Sequence, residues 1–150
     1  MLICYRSKLA ERLLFGNFRT MMFFGIVITK NAVLSATTKR HEGTHVRQYV
    51  ECLLAGLALF VLAEGAAILC GSHVSPWWLA AVPLTYYAMY GAEWAVSYLY
   101  HIFRGDARGK WNDAAYHASA FEIEAYAHEN DPDYLPRRRW YAFVKYYGKL

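Results

Sequence analysis

Between Arg47 and Arg104 there is no lysine or arginine, a gap of 56 residues in a chain of 150 that has 16 such residues in all. Only Glu51, Glu64 and Glu93 carry formal charge inside it. An ordinary water-facing helix pair interleaves charges with its apolar stripe, so this absence points to segments shielded from water. A net charge of +4 and a pI near 9.0 would suit nucleic acid. The cations, however, bracket an apolar block and no recognised nucleic-acid motif is present, which argues against that partner. Cysteine is scarce as well: Cys4, Cys52 and Cys70 lie far apart without a CxxC pair. That excludes a disulfide framework and a thiolate zinc site and fits a reducing compartment. Internal repeats and low-complexity tracts are absent, and 57% hydrophobic residues with 17% aromatic and 19% charged exclude disorder.

The length fits a single domain over residues 1–150. Residues 1–18 place Leu9, Leu13, Leu14 and Phe15 at helical spacing among charges, the pattern of a short amphipathic helix. No small-residue cleavage site follows the run 21–28, where Lys30 comes next, so no cleavable signal peptide is expected. Residues 21–29 (MMFFGIVIT) read as an edge strand with a bulge at Gly25, or as a hairpin. Ser35, Thr37 or Thr38 can cap a helix entered by Lys39. The first of only four prolines is Pro76, so nothing breaks that helix before the run 52–70 ends. This run is nineteen residues interrupted by Glu64 alone, the length that a bilayer core of ~30 Å demands.

The connector 71–76 is a turn, and Trp77-Trp78 after it suit a membrane interface. A second apolar stretch, 79–103, follows with a kink expected at Pro83. The pair reads as a membrane hairpin over about residues 50–103, both chain ends on the cytoplasmic side by the positive-inside rule. A basic loop at 104–110 leads to a helix from Asn112 or Asp113 to about Glu129. The tail joins Arg137, Arg138, Arg139 and Lys145 to Trp140, Tyr141, Phe143 and Tyr147, a composition suited to anionic membrane lipid.

The chemistry is concentrated in His41-Glu42-Gly43-Thr44-His45. Residues i and i+4 share a helix face, so both imidazoles can reach one Zn²⁺ at ~2.0 to 2.1 Å while the intervening Glu42 acts as a general base. Glu51 stands where a metzincin has its third histidine, which excludes that arrangement. A carboxylate on a later helix is the other solution, and Phe121-Glu122-Ile123-Glu124-Ala125-Tyr126 offers Glu122 and Glu124.

With these motifs the chain resembles the gluzincin metallopeptidases, whose third ligand is a glutamate on a later helix. HEGTHVRQ, an apolar hairpin and AYHASAFEIEAYAHE resemble more closely a zincin-like group of small bacterial inner-membrane proteins carrying HExxHxxQ and FExEAYA, without assigned activity. The resemblance spans residues 21–147. It implies a mainly α fold in which the metal helix and a later glutamate-bearing helix are joined by the apolar hairpin, with a short N-terminal edge strand along which a peptide substrate can pair. It also implies His41, His45 and Glu122 as zinc ligands and Glu42 as base. Membrane gluzincins carry Asp four residues after the ligand glutamate, where this chain has Tyr126. That tyrosine is expected to hydrogen-bond a ligand or stabilise an oxyanion.

A hairpin folded about residues 73 and 74 sets Glu93 level with residue 54 and His101 level with residue 46. His101 is thereby a candidate for stabilising a tetrahedral intermediate, and Glu64 is left without an evident partner. The expected activity is that of a membrane-associated zinc metallopeptidase acting on peptide or protein. The alternative is a catalytically silent zinc-binding membrane interaction or sensor protein.

Overall fold

The computed structural model describes residues 1–105 and 110–148. Residues 106–109 of the expected basic loop, and residues 149–150 of the tail, lie outside them. The fold is mainly helical, with one long apolar helix and a small three-stranded sheet near the N-terminus.

The first residues form strand β1 (Ile3–Cys4) before helix α1 (Lys8–Leu13), which Ser7 caps by accepting the Ala10 N–H. The expected N-terminal helix is thus shorter and begins later. Strands β2 (Thr20–Phe23) and β3 (Ile26–Thr29) pair antiparallel with Met22 opposite Val27, and β1 joins β3 in parallel. The order β1-β3-β2 leaves β2 as an edge. Phe24 and Gly25 have φ of 48° and 80°, the paired positive values of a two-residue hairpin turn. Gly25 is therefore a turn residue, and a single bulged strand is corrected to a hairpin. A Cβ there would stand 3.2 Å from the Tyr49 ring.

Ser35 caps α2 (Ala36–Leu69) by accepting the Thr38 N–H. With no proline and a run of good helix formers, α2 continues for 34 residues, about 51 Å. Gly71 ends it at φ 70°: the Gly71 N–H bonds to Ile68 O and the Ser72 N–H reaches back to Ala67 O. The helix has two halves. Between Glu42 and Gly56 its inner face is buried, whereas Leu59, Leu62 and Leu69 are 65%, 70% and 89% exposed. By length and composition it is the one helix among the described residues apolar enough to cross a membrane. Glu64 is not unpartnered: its carboxylate accepts from Val74 N and meets His73 Nδ1, both at 2.7 Å.

The return leg is α3 (Trp77–Ala81), a 3₁₀ turn at Val82–Leu84 and α4 (Thr85–Arg104). Pro83, which has no N–H to donate, sits in the 3₁₀ turn that interrupts the second arm near its start, where the kink was expected. Gly56 lies against Thr85, and Cys52 Sγ lies 3.8 Å from Met89 Sδ. The hairpin therefore pivots near residue 70, and the register expected for Glu93 and His101 is corrected. Beyond that crossing α4 packs along α5 (Trp111–His117).

The helix expected through Glu129 is two helices. Ser119 interrupts it and caps α6 (Ala120–His128), while Glu93 Oε2 accepts from Ser119 Oγ at 2.7 Å and from Ala120 N at 2.8 Å. A single turn, α7 (Tyr134–Arg137), and a 3₁₀ turn at Ala142–Tyr146 close the chain. The core of Met22, Tyr49, Cys52, Tyr86, Phe121 and Phe143 holds the lower half of α2 against the sheet, α4 and α6.

Candidate metal centre

The motif lies in regular helix, so the imidazoles of His41 and His45 leave α2 on one face. α6 packs against α2 and presents Glu122 from its first turn. His41 Nε2 and His45 Nε2 are 3.1 Å apart. Glu122 Oε2 is 3.4 Å from the first and Oε1 is 3.3 Å from the second.

The surrounding hydrogen bonds fix which nitrogens carry protons. Gln48 is fully buried, and its Nε2 lies 3.1 Å from Phe121 O and 3.0 Å from Glu124 Oε2. Both are acceptors, so the amide NH₂ must face them and Oε1 must face His45 Nδ1, 2.8 Å away. His45 Nδ1 is then the donor, and Nε2 is the nitrogen turned to the site, a ligand once its proton leaves. His41 Nδ1 meets the acceptor Glu129 Oε2 at 3.1 Å, with the same consequence. Arg40 Nε donates to Glu129 O at 2.6 Å and holds that residue in place.

Tyr90 donates to Glu122 Oε1 at 2.9 Å, whereas the buried Glu122 Oε2 accepts no hydrogen bond. Two imidazole Nε2 atoms and an unpartnered carboxylate oxygen converge, a donor set that a cation satisfies in place of the imidazole proton. A tetrahedral metal with ligands at ~2.0–2.1 Å spaces its donors about 3.3 Å apart. The three separations of 3.1, 3.4 and 3.3 Å agree with that spacing, so the triad could hold a metal ion.

The same carboxylates set the protonation of the site. Burial opposes charge on His45, but Glu122 and Glu42 outweigh it and lift the pKa to about 9. Burial likewise pushes Glu122 up, yet the two imidazoles hold it well below the usual carboxylate range. Glu42 lies beside the triad, accepts the Met22 backbone N–H and keeps Oε2 without a partner. Burial raises its pKa, moderated by His45 and His41. A cleft of about 260 Å³ opens here, with β2 residues Thr20, Met21 and Met22 on one wall and Tyr86, Tyr90 and Tyr116 on another.

His41, His45, Glu122 and Glu42 are thus brought together. Glu124 is not a ligand: it is fully buried and serves Gln48 from the far side. Tyr126 packs against His41 in a T-shaped contact, centroids 4.6 Å apart, and so braces that imidazole. The carboxylate that orients His41 comes from Glu129, not from position 126. Glu129 lies seven residues after Glu122, two helical turns on, a spacing that signals a shared face. His101 does not line the cleft; it sits on the last turn of α4 against Tyr100. His117 packs on Tyr126. Tyr90 and Tyr116, which touch Glu122, have no local signal in the sequence because the fold alone brings them there. No family model, curated protein or solved structure matches the chain.

Proposed function

We propose that this chain is a membrane-associated zinc metallopeptidase of gluzincin type. The observation that carries the reading is the convergence of the Nε2 atoms of His41 and His45 and the Glu122 carboxylate beside an unpartnered Glu42 oxygen. Two imidazoles with one carboxylate favour zinc over harder divalent cations. Bound there, zinc would supply Lewis-acid polarisation of a peptide carbonyl and lower the pKa of water.

The chain's own residues supply the rest. Glu42 is placed to take the proton of an attacking water and to return it to the leaving amine. The closing Phe23–Ile26 pair of the hairpin turns the Thr20 main-chain groups and the Met22 carbonyl to the free edge of β2 on the cleft wall, the Met22 N–H being taken by Glu42. An extended peptide can pair there. The Tyr86 hydroxyl, 3.3 Å from His45 Nδ1, lies on the opposite wall.

Membrane association rests on the cation-free 56 residues and on the exposed apolar tip between Leu57 and Leu84, with Trp77 at 82% exposure. In this reading the tip enters the inner membrane, lipid covers it, and both chain ends and the metal centre stay cytoplasmic. The small cleft favours a second reading, a silent zinc site in a membrane interaction or sensor protein.

The test is metal content of the detergent-purified chain together with turnover of a peptide library. Wild type is expected to hold one zinc per chain, lost in both His45→Ala and Glu122→Ala. Glu42→Gln should keep the zinc and lose at least about 10²-fold in turnover. Zinc without turnover in wild type selects the silent site; hydrolysis at wild-type rate in Glu42→Gln rejects the mechanism.

A further inference from the structure

Of three consecutive arginines in the C-terminal segment, one is buried. The Arg138 side chain is 2% exposed, whereas that of Arg137 is 70% exposed and Arg139 is also exposed. Arg138 Nη1 and Nη2 both donate to Glu51, the latter at 2.9 Å to Oε2. Its Nε and Nη2 donate to Glu124 at 2.5 and 3.2 Å. One guanidinium therefore joins α2, which carries His41 and His45, to α6, which carries Glu122. Only the planar fork of arginine can serve two carboxylates in this way.

Glu124 is the pivot of a chain of contacts. One oxygen takes Arg138 and the Tyr134 hydroxyl, the latter at 2.6 Å, and the other takes the Gln48 amide at 3.0 Å. Gln48 in turn presents Oε1 to His45 Nδ1 at 2.8 Å. With the guanidinium in place, Glu124 is held as an acceptor, the Gln48 amide has one allowed orientation, and that orientation fixes the proton of His45 on Nδ1. Without it, two buried carboxylates face each other with no cation, and Glu124 is driven from the position that orients Gln48.

We propose that Arg138 is a positioning residue for the metal centre, so that metal occupancy and docking of residues 134–138 are coupled. This rests on the reading of His41, His45 and Glu122 as a metal site. The coupling is reciprocal by linkage: what tightens the tail tightens the metal, and the metal tightens the tail. Arg137 and Arg139, adjacent but exposed, are internal controls.

The experiment measures zinc affinity of the full detergent-solubilised chain by competition with a chelator, for wild type, Arg138→Met, Arg138→Lys, Arg137→Met and Arg139→Met. Loss of a partner behind a metal ligand weakens binding about 10–100-fold, so Arg138→Met is expected at about tenfold or more and the two controls within about twofold. Arg138→Lys keeps the charge without the fork and should fall between, in a chain that still folds. A change in the visible absorption of cobalt(II)-loaded Arg138→Lys would report altered ligand geometry, which a purely structural role would not produce. A second arm needs no variant: zinc should slow tryptic cleavage of wild type after Arg137 and Arg139. Equal zinc affinity in wild type and both Arg138 variants, or tryptic cleavage indifferent to zinc, overturns the coupling and leaves the metal site standing. A wild-type chain that takes up no zinc overturns both.

Discussion

A proton and a divalent cation compete for one lone pair on His45. In the metal-free folded chain its pKa lies at about 9, against 6.5 for an unperturbed histidine, because Glu122 and Glu42 outweigh the cost of burial. A raised folded-state pKa means that the protonated residue stabilises the metal-free chain fully below pH 6.5 and loses that contribution as pH rises through 9. Metal binding has the opposite sign, since Nε2 must give up its proton to become a ligand. Zinc affinity is therefore expected to rise about tenfold per pH unit between 6.5 and 9, one proton being released, and to level off above. Chelator competition across that range measures the slope. A flat profile would mean that His45 is not the residue displaced.

Two glycines of α2 experience opposite environments. A Cβ at Gly56 would stand 2.5 Å from Thr85 Oγ1, and that hydroxyl is held by its bond to Val82 O at 2.7 Å. Gly65 has nothing within 4 Å of a Cβ. Gly56→Ala is expected to destabilise the chain by about 1–3 kcal/mol through overpacking at the crossing. Gly65→Ala is expected to stabilise it by roughly 0.5–1 kcal/mol through helix propensity alone. Melting of both variants in one detergent compares them, and equal shifts would place the crossing elsewhere.

The same contrast between local and distant causes explains what was legible in the sequence. α2 was, because its cap at Ser35, its lack of proline and its HExxH spacing are all local. So was the grouping of His41 and His45 with Glu42, since residue type and helical phase nearly dictate it, whereas Glu122 was preferred to Glu124 only on the family resemblance. The turn at Phe24-Gly25 was not: phenylalanine gives no signal for positive φ, and here it is held by Tyr87, whose hydroxyl accepts the Phe24 N–H at 2.7 Å. The break at Ser119 was hidden for the same reason, because Glu93 caps α6 from 26 residues away. His101 was misplaced because the arms cross with Gly56 against Thr85, a register shifted from the one expected, and α4 then packs along α5. Glu129 and Arg138 carry the orientation of the two histidines, yet only tertiary packing brings them there.

For the whole molecule the governing question is what covers the upper half of α2. Leu57 and Leu62 are 41% and 70% exposed on the outer part of the run, and only 11% of the helix's most apolar stretch is buried within the chain. If lipid covers it, each lysine placed near the centre of the span costs about 2.5–3.5 kcal/mol on the insertion scale. If water covers it, a lysine at an exposed position away from packing changes stability by no more than about 0.5 kcal/mol. The two cases differ by several kcal/mol for the double variant Leu57→Lys/Leu62→Lys. Expected is wild type retained in the membrane pellet after alkaline carbonate extraction and the double variant lost from it or degraded. Lysine can extend its ammonium to the interface from a helix end but not from the middle of an apolar run. Arg139→Lys in the tail should therefore leave pelleting unchanged and serve as the control. A wild-type chain found in the supernatant, with a double variant equally folded there, would make the apolar face a protein contact and remove the membrane from the proposal while leaving the metal centre intact.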